Sequence, residues 1–446
     1  MKKIISIILC FIVGCMMTLT ASAFETPYND NADFLWGVNV HSPATAVSYK
    51  LVSLEDQVHY AAQLGVKIIR IDITKNMDVS YLDTFVGLCN QYGIKVMFAL
   101  TSCIEVDEPE NAEMIVNGYA ERYNGKNGKF KVDYFQFKNE VDLTLMNESG
   151  IHDSGETVSS YPEESLKKYL TLFKAMQNGL DKADTTAESV INISWLHYGY
   201  LKYLSDNGLK WDIVGLDWYS DMKNQDLKTY LSQLLTLFPE QKLIICESNV
   251  QLTENDDYND INNWNVLLDF IKDSYDFSKS NPRFIGFIVY ELLDSPNNLV
   301  NKYESNFGLI KADVSQNNTY IDIENKAIYS KIQQIFGGKQ ISKISSDFLD
   351  LSVYDEFSGT ANFEDSSSSS SSENGFTDKT IESSDKDNGY INGEEIPVEV
   401  KTNKQIVTKT IFDIPWLFLI LTSVGMIVIA VGVVLFFVMR TKKKFK

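Results

Sequence analysis

The stretch Ser53-Leu54-Glu55-Asp56-Gln57-Val58-His59-Tyr60-Ala61-Ala62-Gln63-Leu64-Gly65-Val66-Lys67-Ile68-Ile69-Arg70-Ile71-Asp72 decides the fold. Its first half has helical periodicity: Ser53 is placed to cap, an acidic residue follows three positions on, and Val58, Ala61, Ala62 and Leu64 share one apolar face. Gly65 ends that helix, and Lys67–Asp72 is a short apolar run of strand type. Outward from this pair the same alternation repeats between Phe34 and Phe336. Strands are expected at Phe34–Val40, Lys67–Asp72, Ile94–Leu100, Val132–Phe137, Val190–Trp195, Ile213–Trp218, Lys242–Cys246 and Phe284–Tyr290. After the Ser53 helix, further helices are expected near Val79–Tyr92, Ala112–Arg122, Ser165–Lys182, Tyr198–Asp206, Asp226–Phe238, Asn262–Asp276 and Asn325–Phe336. Alternating strands and helices make an α/β fold with a parallel sheet. Eight of each within roughly 300 residues favour a closed (β/α)₈ TIM barrel over an open sheet, because no Gly-rich phosphate loop follows the first strand.

The flanks read differently from the barrel. Residues 1–23 have the parts of a secretory signal: Lys2 and Lys3, an apolar run from Ile4 to about Leu19, and Ala21-Ser22-Ala23. A second reading is lipoprotein processing at Cys15. The barrel domain is assigned to residues 24–339. From Gln340 the apolar periodicity is lost, and seven serines run from Ser366 to Ser372, so residues 340–410 are expected to be an acidic, Ser-rich disordered linker. Pro415 to Met439 carries no charge over twenty-five residues, about 37 Å as a helix and enough to span a bilayer with some tilt. A transmembrane helix is therefore placed at 411–439. Arg440, Lys442, Lys443, Lys444 and Lys446 form a basic cytoplasmic tail at 440–446, which puts everything before Pro415 outside the cell. This arrangement resembles surface proteins of Gram-positive bacteria, although it lacks an LPxTG-type wall-attachment motif.

A net charge of −20 repels phosphates and argues against a nucleic-acid partner, but most of it is local: Asp347 to Glu399 holds fourteen acidic residues against two lysines, a net −12. Outside the signal only Cys89, Cys103 and Cys246 remain, each in an apolar stretch, and buried free thiols are the simplest reading.

In a barrel of this kind the chemistry sits at the C-terminal ends of the strands. Two carboxylates occupy such places: Glu140 in Phe135-Gln136-Phe137-Lys138-Asn139-Glu140-Val141-Asp142, and Glu247 in Leu243-Ile244-Ile245-Cys246-Glu247-Ser248. Facing each other across one mouth, they suit acid/base and nucleophilic work on a glycosidic bond; the alternative is an ion pair at the rim. Trp36, Trp195, Trp218 and Tyr290 are candidates to stack on sugar faces, with core packing as the other reading of each. His41 after strand one and His197 after strand five are placed to touch a sugar, whereas His59 falls in a helix and His152 in a loop. There is no HExxH motif, paired cysteine spacing, Walker loop or GxSxG elbow, so neither a metal nor a cofactor is expected.

Asn139-Glu140 after strand four and Glu247 after strand seven resemble the retaining glycoside hydrolases of the clan-A (β/α)₈ superfamily, families 5 and 39 in particular. The likeness runs from Trp36-Gly37-Val38-Asn39 to Phe287–Asp294 and Glu304–Ile310. It implies that Glu140 is the general acid/base and Glu247 the nucleophile, with the carboxyl groups about 5–5.5 Å apart. It also implies that Arg70 and Tyr219 brace Glu247, that Asn139 binds a sugar 2-hydroxyl, and that Asn39, His41, Trp195, His197, Trp218 and Tyr290 line the substrate. Two departures leave the subfamily and the sugar open: Lys138-Asn139-Glu140-Val141 stands for the usual Trp-Asn-Glu-Pro, and Asp217 stands where many relatives have histidine. The expected function is an extracellular, membrane-anchored retaining β-glycosidase acting on a β-linked polysaccharide or oligosaccharide. The competing reading is a cell-surface barrel that binds or adheres to carbohydrate without turnover. Linkage, endo or exo action and oligomeric state are not legible.

Overall fold

The eight apolar runs form parallel strands that close on themselves: β1 Leu35–Val40, β2 Ile68–Ile73, β3 Lys95–Leu100, β4 Tyr134–Phe137, β5 Glu188–Ser194, β6 Ile213–Tyr219, β7 Lys242–Asn249 and β8 Phe284–Val289, with β8 pairing back onto β1. This is the computed structural model of the chain, and it describes residues 33–354 with Tyr28 and Asn31, apart from residues 76, 125–128, 151, 152, 184, 223, 254, 297–303 and 353. Helices α1 Val47–Leu51, α2 Leu54–Leu64, α3 Val79–Gln91, α4 Pro109–Asn124, α5 Val141–Ser149, α6 Glu163–Lys182, α7 Tyr198–Asp206, α8 Leu227–Leu237, α9 Asn265–Ser278 and α10 Ala327–Phe336 make the outer layer. The Ser53 cap is the one the sequence predicts. Ser53 accepts from the Asp56 N–H at 3.2 Å, and Asp226 caps α8 through the Thr229 N–H at 2.8 Å. Gly65 ends α2 with φ +85°, and a Cβ there would lie 2.6 Å from the Gly338 nitrogen, so this stop is also where the chain leaving α10 passes closely.

Alternation along the strands sorts side chains between two spaces. Outward residues such as Val38, Ile69, Ile71, Phe98, Phe135, Ile193, Leu216 and Phe287 fill the core between barrel and helices. Inward residues Leu35, Ile68, Met97, Tyr134, Val190, Ile213, Ile244 and Ile288 form a second apolar cluster inside the barrel. Toward the strand ends the interior turns polar, with Asn39, Arg70, Gln136, Asn192, Asp217 and Glu247 all buried. Polar groups shut away from water must satisfy one another, which sets the geometry of the mouth. One irregularity places Glu247. Leu216 pairs with Ile245, but Asp217 pairs with Glu247, so Cys246 is an extra residue of β7 and parity reverses after it.

The sequence-predicted strands and helices are recovered within a few residues, while α1, α5 and the antiparallel pair β9 Ile310–Val314 and β10 Ile321–Asn325 are additions. The start of the linker also needs correction. Residues 340–352 and Tyr354, assigned above to the linker, are seated on the outside of the barrel as a strap. Lys343 pairs with Asp56 at 2.7 Å, Ser346 Oγ donates to Glu55 at 2.6 Å, and Leu349 lies over Gly87. Tyr354 is buried between Arg122, 4.6 Å from its ring centroid, and the rings of Tyr123 and Phe130. Phe130 precedes β4, so the strap finishes near the face where strands begin, away from the mouth. Among the described residues no helix is long and apolar enough to cross a membrane. The signal segment, the rest of the linker, the apolar stretch Pro415–Met439, the basic tail and His152 lie outside the described residues. Cys89 and Cys246 are buried, Cys103 is half-buried, and all three are free.

Candidate active site

Arg70 organises the polar layer. Its Nε donates to Gln136 Oε1 at 2.7 Å, Nη2 to Asn139 Oδ1 at 2.7 Å, and Nη1 both to Asn39 Oδ1 at 2.7 Å and to Glu247 Oε1 at 2.8 Å. Burial alone would lower the Arg70 pKa, but Glu247, with Cys246 and Asp217 behind it, raises it above its ordinary value. The other Glu247 oxygen accepts the Tyr219 hydroxyl at 2.7 Å. Tyr219 is held in turn by its ring, stacked on Phe307 at 5.6 Å. Burial, then Glu247, pushes the Tyr219 pKa well up, so the phenol stays a donor. Glu247 thus sits in a fixed, charge-assisted clamp.

Glu140 is presented differently. It is the residue before α5 and adopts the left-handed conformation, φ 43°, with its N–H given to Asn192 Oδ1 at 3.1 Å. Lys138 is left-handed too, φ 65°, and its ammonium donates to the carbonyls of Ile104, at 2.8 Å, and Thr101. A non-glycine residue in this region costs about 1–2 kcal/mol, so the turn is held by its neighbours and not by preference. Burial first, then the nearby Glu247 and Asp142, raises the Glu140 pKa well above the carboxylate range, with Arg70 opposing. Two glutamates at one mouth are therefore driven apart in character: burial and the neighbouring carboxylates favour the protonated form of Glu140, while Glu247 has a guanidinium and a phenol on its two oxygens.

Asn139 Oδ1 accepts from Arg70, from Gln136 at 3.0 Å and from Asn192 at 2.9 Å. Its oxygen is saturated, which leaves the amide N–H groups for a ligand. His197 pairs through Nδ1 with Asp142 at 2.7 Å, and Trp195 stands beside it at 5.9 Å. His41 lies between Asp72 at 3.0 Å and Glu291 at 3.2 Å; burial lowers its pKa, but the two carboxylates outweigh this and raise it well above 6.5. Tyr290 is half-buried, edge-on to both His41 and Tyr219.

Of the expected residues, Glu140, Glu247, Arg70, Asn139 and Tyr219 come together, with His41, His197, Trp195 and Tyr290 around them. Two expected substrate contacts do not belong. Asn39 is buried behind Arg70, its amide donating to the Cys246 carbonyl at 2.9 Å. Trp218 is fully buried and stacks on Tyr230 of α8, because parity turns it outward between inward Asp217 and Tyr219. Trp36 likewise stacks on Phe336 in the outer core. The reading from strand ends passed over Gln136, Asn192, Asp72, Asp142 and Glu291. The first two interrupt apolar runs at the inward parity, a signal available in Phe135-Gln136-Phe137 and Ile191-Asn192-Ile193. Among the described residues no cluster of three or more His, Cys, Asp or Glu is arranged to hold a metal.

No family model matches the chain, and no curated protein matches it in sequence. Solved structures do match. A hyperthermophilic β-glucosidase from Pyrococcus furiosus superposes with TM-score 0.51 at 11% identity, over 70% of this chain and 96% of that one. A family 1 β-glucosidase from Thermotoga maritima in complex with isofagomine lactam gives 0.50 at 14%, over 68% and 98%. The AHE enzyme from Alicyclobacillus herbarius gives 0.50 at 11%, over 70% and 98%. The likeness is one of fold. It agrees with the (β/α)₈ architecture expected of the clan-A barrels.

Proposed function

We propose that the chain is a retaining β-glycosidase, anchored at the membrane with its barrel outside the cell, acting on a β-linked polysaccharide or oligosaccharide. The observation that carries this is the contrast between the clamped Glu247, held by Arg70 and Tyr219, and the proton-holding Glu140 at the same mouth. In the first half-reaction a Glu247 oxygen bonds to the anomeric carbon as the glycosidic C–O bond breaks, and the Glu140 proton passes to the leaving oxygen. Forming the ester removes the Glu247 charge, so the Glu140 pKa falls; its carboxylate then takes a proton from the water whose oxygen bonds to the anomeric carbon as the bond to Glu247 breaks and that carboxylate is released. Asn139 donates to the 2-hydroxyl, and His41, His197, Trp195 and Tyr290 line the sugar. The architecture shared with β-glucosidases supports this reading, and the uncharged Pro415–Met439 stretch with its basic tail supports the anchoring.

The test is product release by the full-length protein from β-linked glucans, mannans, xylans and galactans, beside Glu247→Gln. Cleavage that the variant loses establishes the glycosidase and names its sugar. No cleavage together with retained glycan binding moves the assignment to a binding barrel. Protease access to the barrel on intact cells tests the location, and protection there would overturn it.

A further inference from the structure

The double-displacement scheme leaves Asp217 without a role. Its side chain is fully buried, Oδ2 accepts one hydrogen bond from Asn192 Nδ2 at 2.6 Å, and Oδ1 has no partner among the described residues. It stands directly across the β6–β7 pairing from Glu247. The charged and titratable groups around it are Glu247 and Cys246 on β7, Glu140 after β4, Arg70 on β2, Tyr219 on its own strand and Asp142 of α5, while Asn192 on β5 is neutral. Arg70 is the cation of this set, and Glu247 already occupies it. A buried carboxylate normally gathers several donors, and Asp217 has one, from an uncharged amide. A carboxylic acid leaves only a neutral O–H unpaired at Oδ1, which costs far less to bury beside the Glu247 carboxylate than an unpaired charge would.

We propose that Asp217 is an uncharged acid with its proton on Oδ1, and that it is a positioning residue: Oδ2 holds Asn192 in the orientation that receives the Glu140 N–H, without adding a second negative charge beside Glu247. Burial, then Glu247 and Glu140, raises its pKa well above the carboxylate range, with Arg70 opposing, which agrees with the geometry. The consequence for turnover rests on the glycosidase reading; the protonation itself does not. With Asp217 neutral, Glu247 is the main negative charge acting on Glu140, so forming the ester frees Glu140 to act as base. A charged Asp217 would stay beside Glu140 after that step and oppose the fall in its pKa.

Infrared spectroscopy of the full-length protein with side-chain ¹³C-labelled aspartate tests this at pH 7. The expected result is a protonated-carboxyl C=O band that shifts with the label and disappears in Asp217→Asn. That variant, which puts a neutral amide in place of a neutral acid, should leave the alkaline limb of the kcat/KM pH profile in place. No labelled acid band, a band unchanged in Asp217→Asn, or an alkaline limb displaced toward acid by about one unit or more would each overturn the proposal. If Asp217→Asn does not fold, Asp142→Asn and Asp294→Asn take its place, and complete loss of the band in either is the overturning result. Glycoside cleavage without the band would remove this proposal alone, whereas the band without cleavage would remove the enzymatic reading and leave Asp217 protonated.

Discussion

Replacing Tyr219 with phenylalanine isolates one half of the clamp on Glu247. The hydroxyl donates at 2.7 Å to a buried carboxylate oxygen, while the ring is held independently by its stack on Phe307 and its edge contact with Tyr290, so Tyr219→Phe keeps its packing. A hydrogen bond to a charged group contributes about 1.5–3 kcal/mol. On the proposed mechanism this bond orients the attacking oxygen, and its loss raises the barrier to forming the glycosyl ester. At about 1.4 kcal/mol per decade the expected fall is roughly 10- to 150-fold. The assay is stopped-flow release of an activated aryl leaving group, which reads the first half-reaction directly, with the melting temperature as a control on folding. A variant that folds normally and forms the ester within about threefold of the parent rate would refute the orienting role. An equal loss with Glu140→Gln as background would show that the two residues contribute independently to that rate.

Glu140→Gln should lose activity toward poor leaving groups more than toward activated ones, and azide should restore turnover and yield the β-glycosyl azide, measured by product analysis. The same variant should melt higher than the parent near pH 8 and equally at acid pH. The folded pKa of Glu140 is raised, so its contribution to stability is full below the unfolded value and is lost as pH rises through the folded one; pH-dependent calorimetry checks this. Lys326 is buried, pairs with Asp294 at 2.6 Å and donates to the Asn306 carbonyl at 2.8 Å, so Lys326→Met should cost about 3–5 kcal/mol in chemical denaturation by stranding Asp294. A fragment ending at residue 339 should be less stable than one ending at 354, by about 1–3 kcal/mol, since it loses the Arg122–Tyr354 cation–π contact and the cover over Gly87; paired melting curves would show it.

The barrel was legible because each unit repeats the same two signals, a buried apolar run and a capped amphipathic helix, and eight repetitions protect against an error in any one. The two glutamates were legible as carboxylates at strand ends. What lay beyond reach was parity. Trp218 sits one residue from Tyr219, and only the pleat decides that one packs outward while the other reaches Glu247. The bulge at Cys246 changes that parity with no glycine or proline to mark it. Asn39 was a substrate contact on the family resemblance alone, yet its oxygen is taken by Arg70. Distant partners such as Asp72 and Glu291, which meet on His41 from opposite sides, have no signature in local sequence. The strap was missed for another reason: its apolar residues follow no helical or strand period, and its hold comes from single contacts.

That strap also decides how the barrel would bear load. On the anchored reading, a polymer gripped at the mouth and a membrane held at the other end put the chain under tension, and the pull reaches the strap from its Tyr354 end. There it meets side chains of α4 and the segment before β4, then the Gly87 and Glu55 contacts in turn. Contacts met one after another yield singly, as a peel. About fifteen residues paid out this way lengthen the chain by roughly 50 Å, which caps the load carried by β2 and β7, where Arg70 grips Glu247. The strap would thus be a mechanical fuse at the far face of the barrel, giving way ahead of the site.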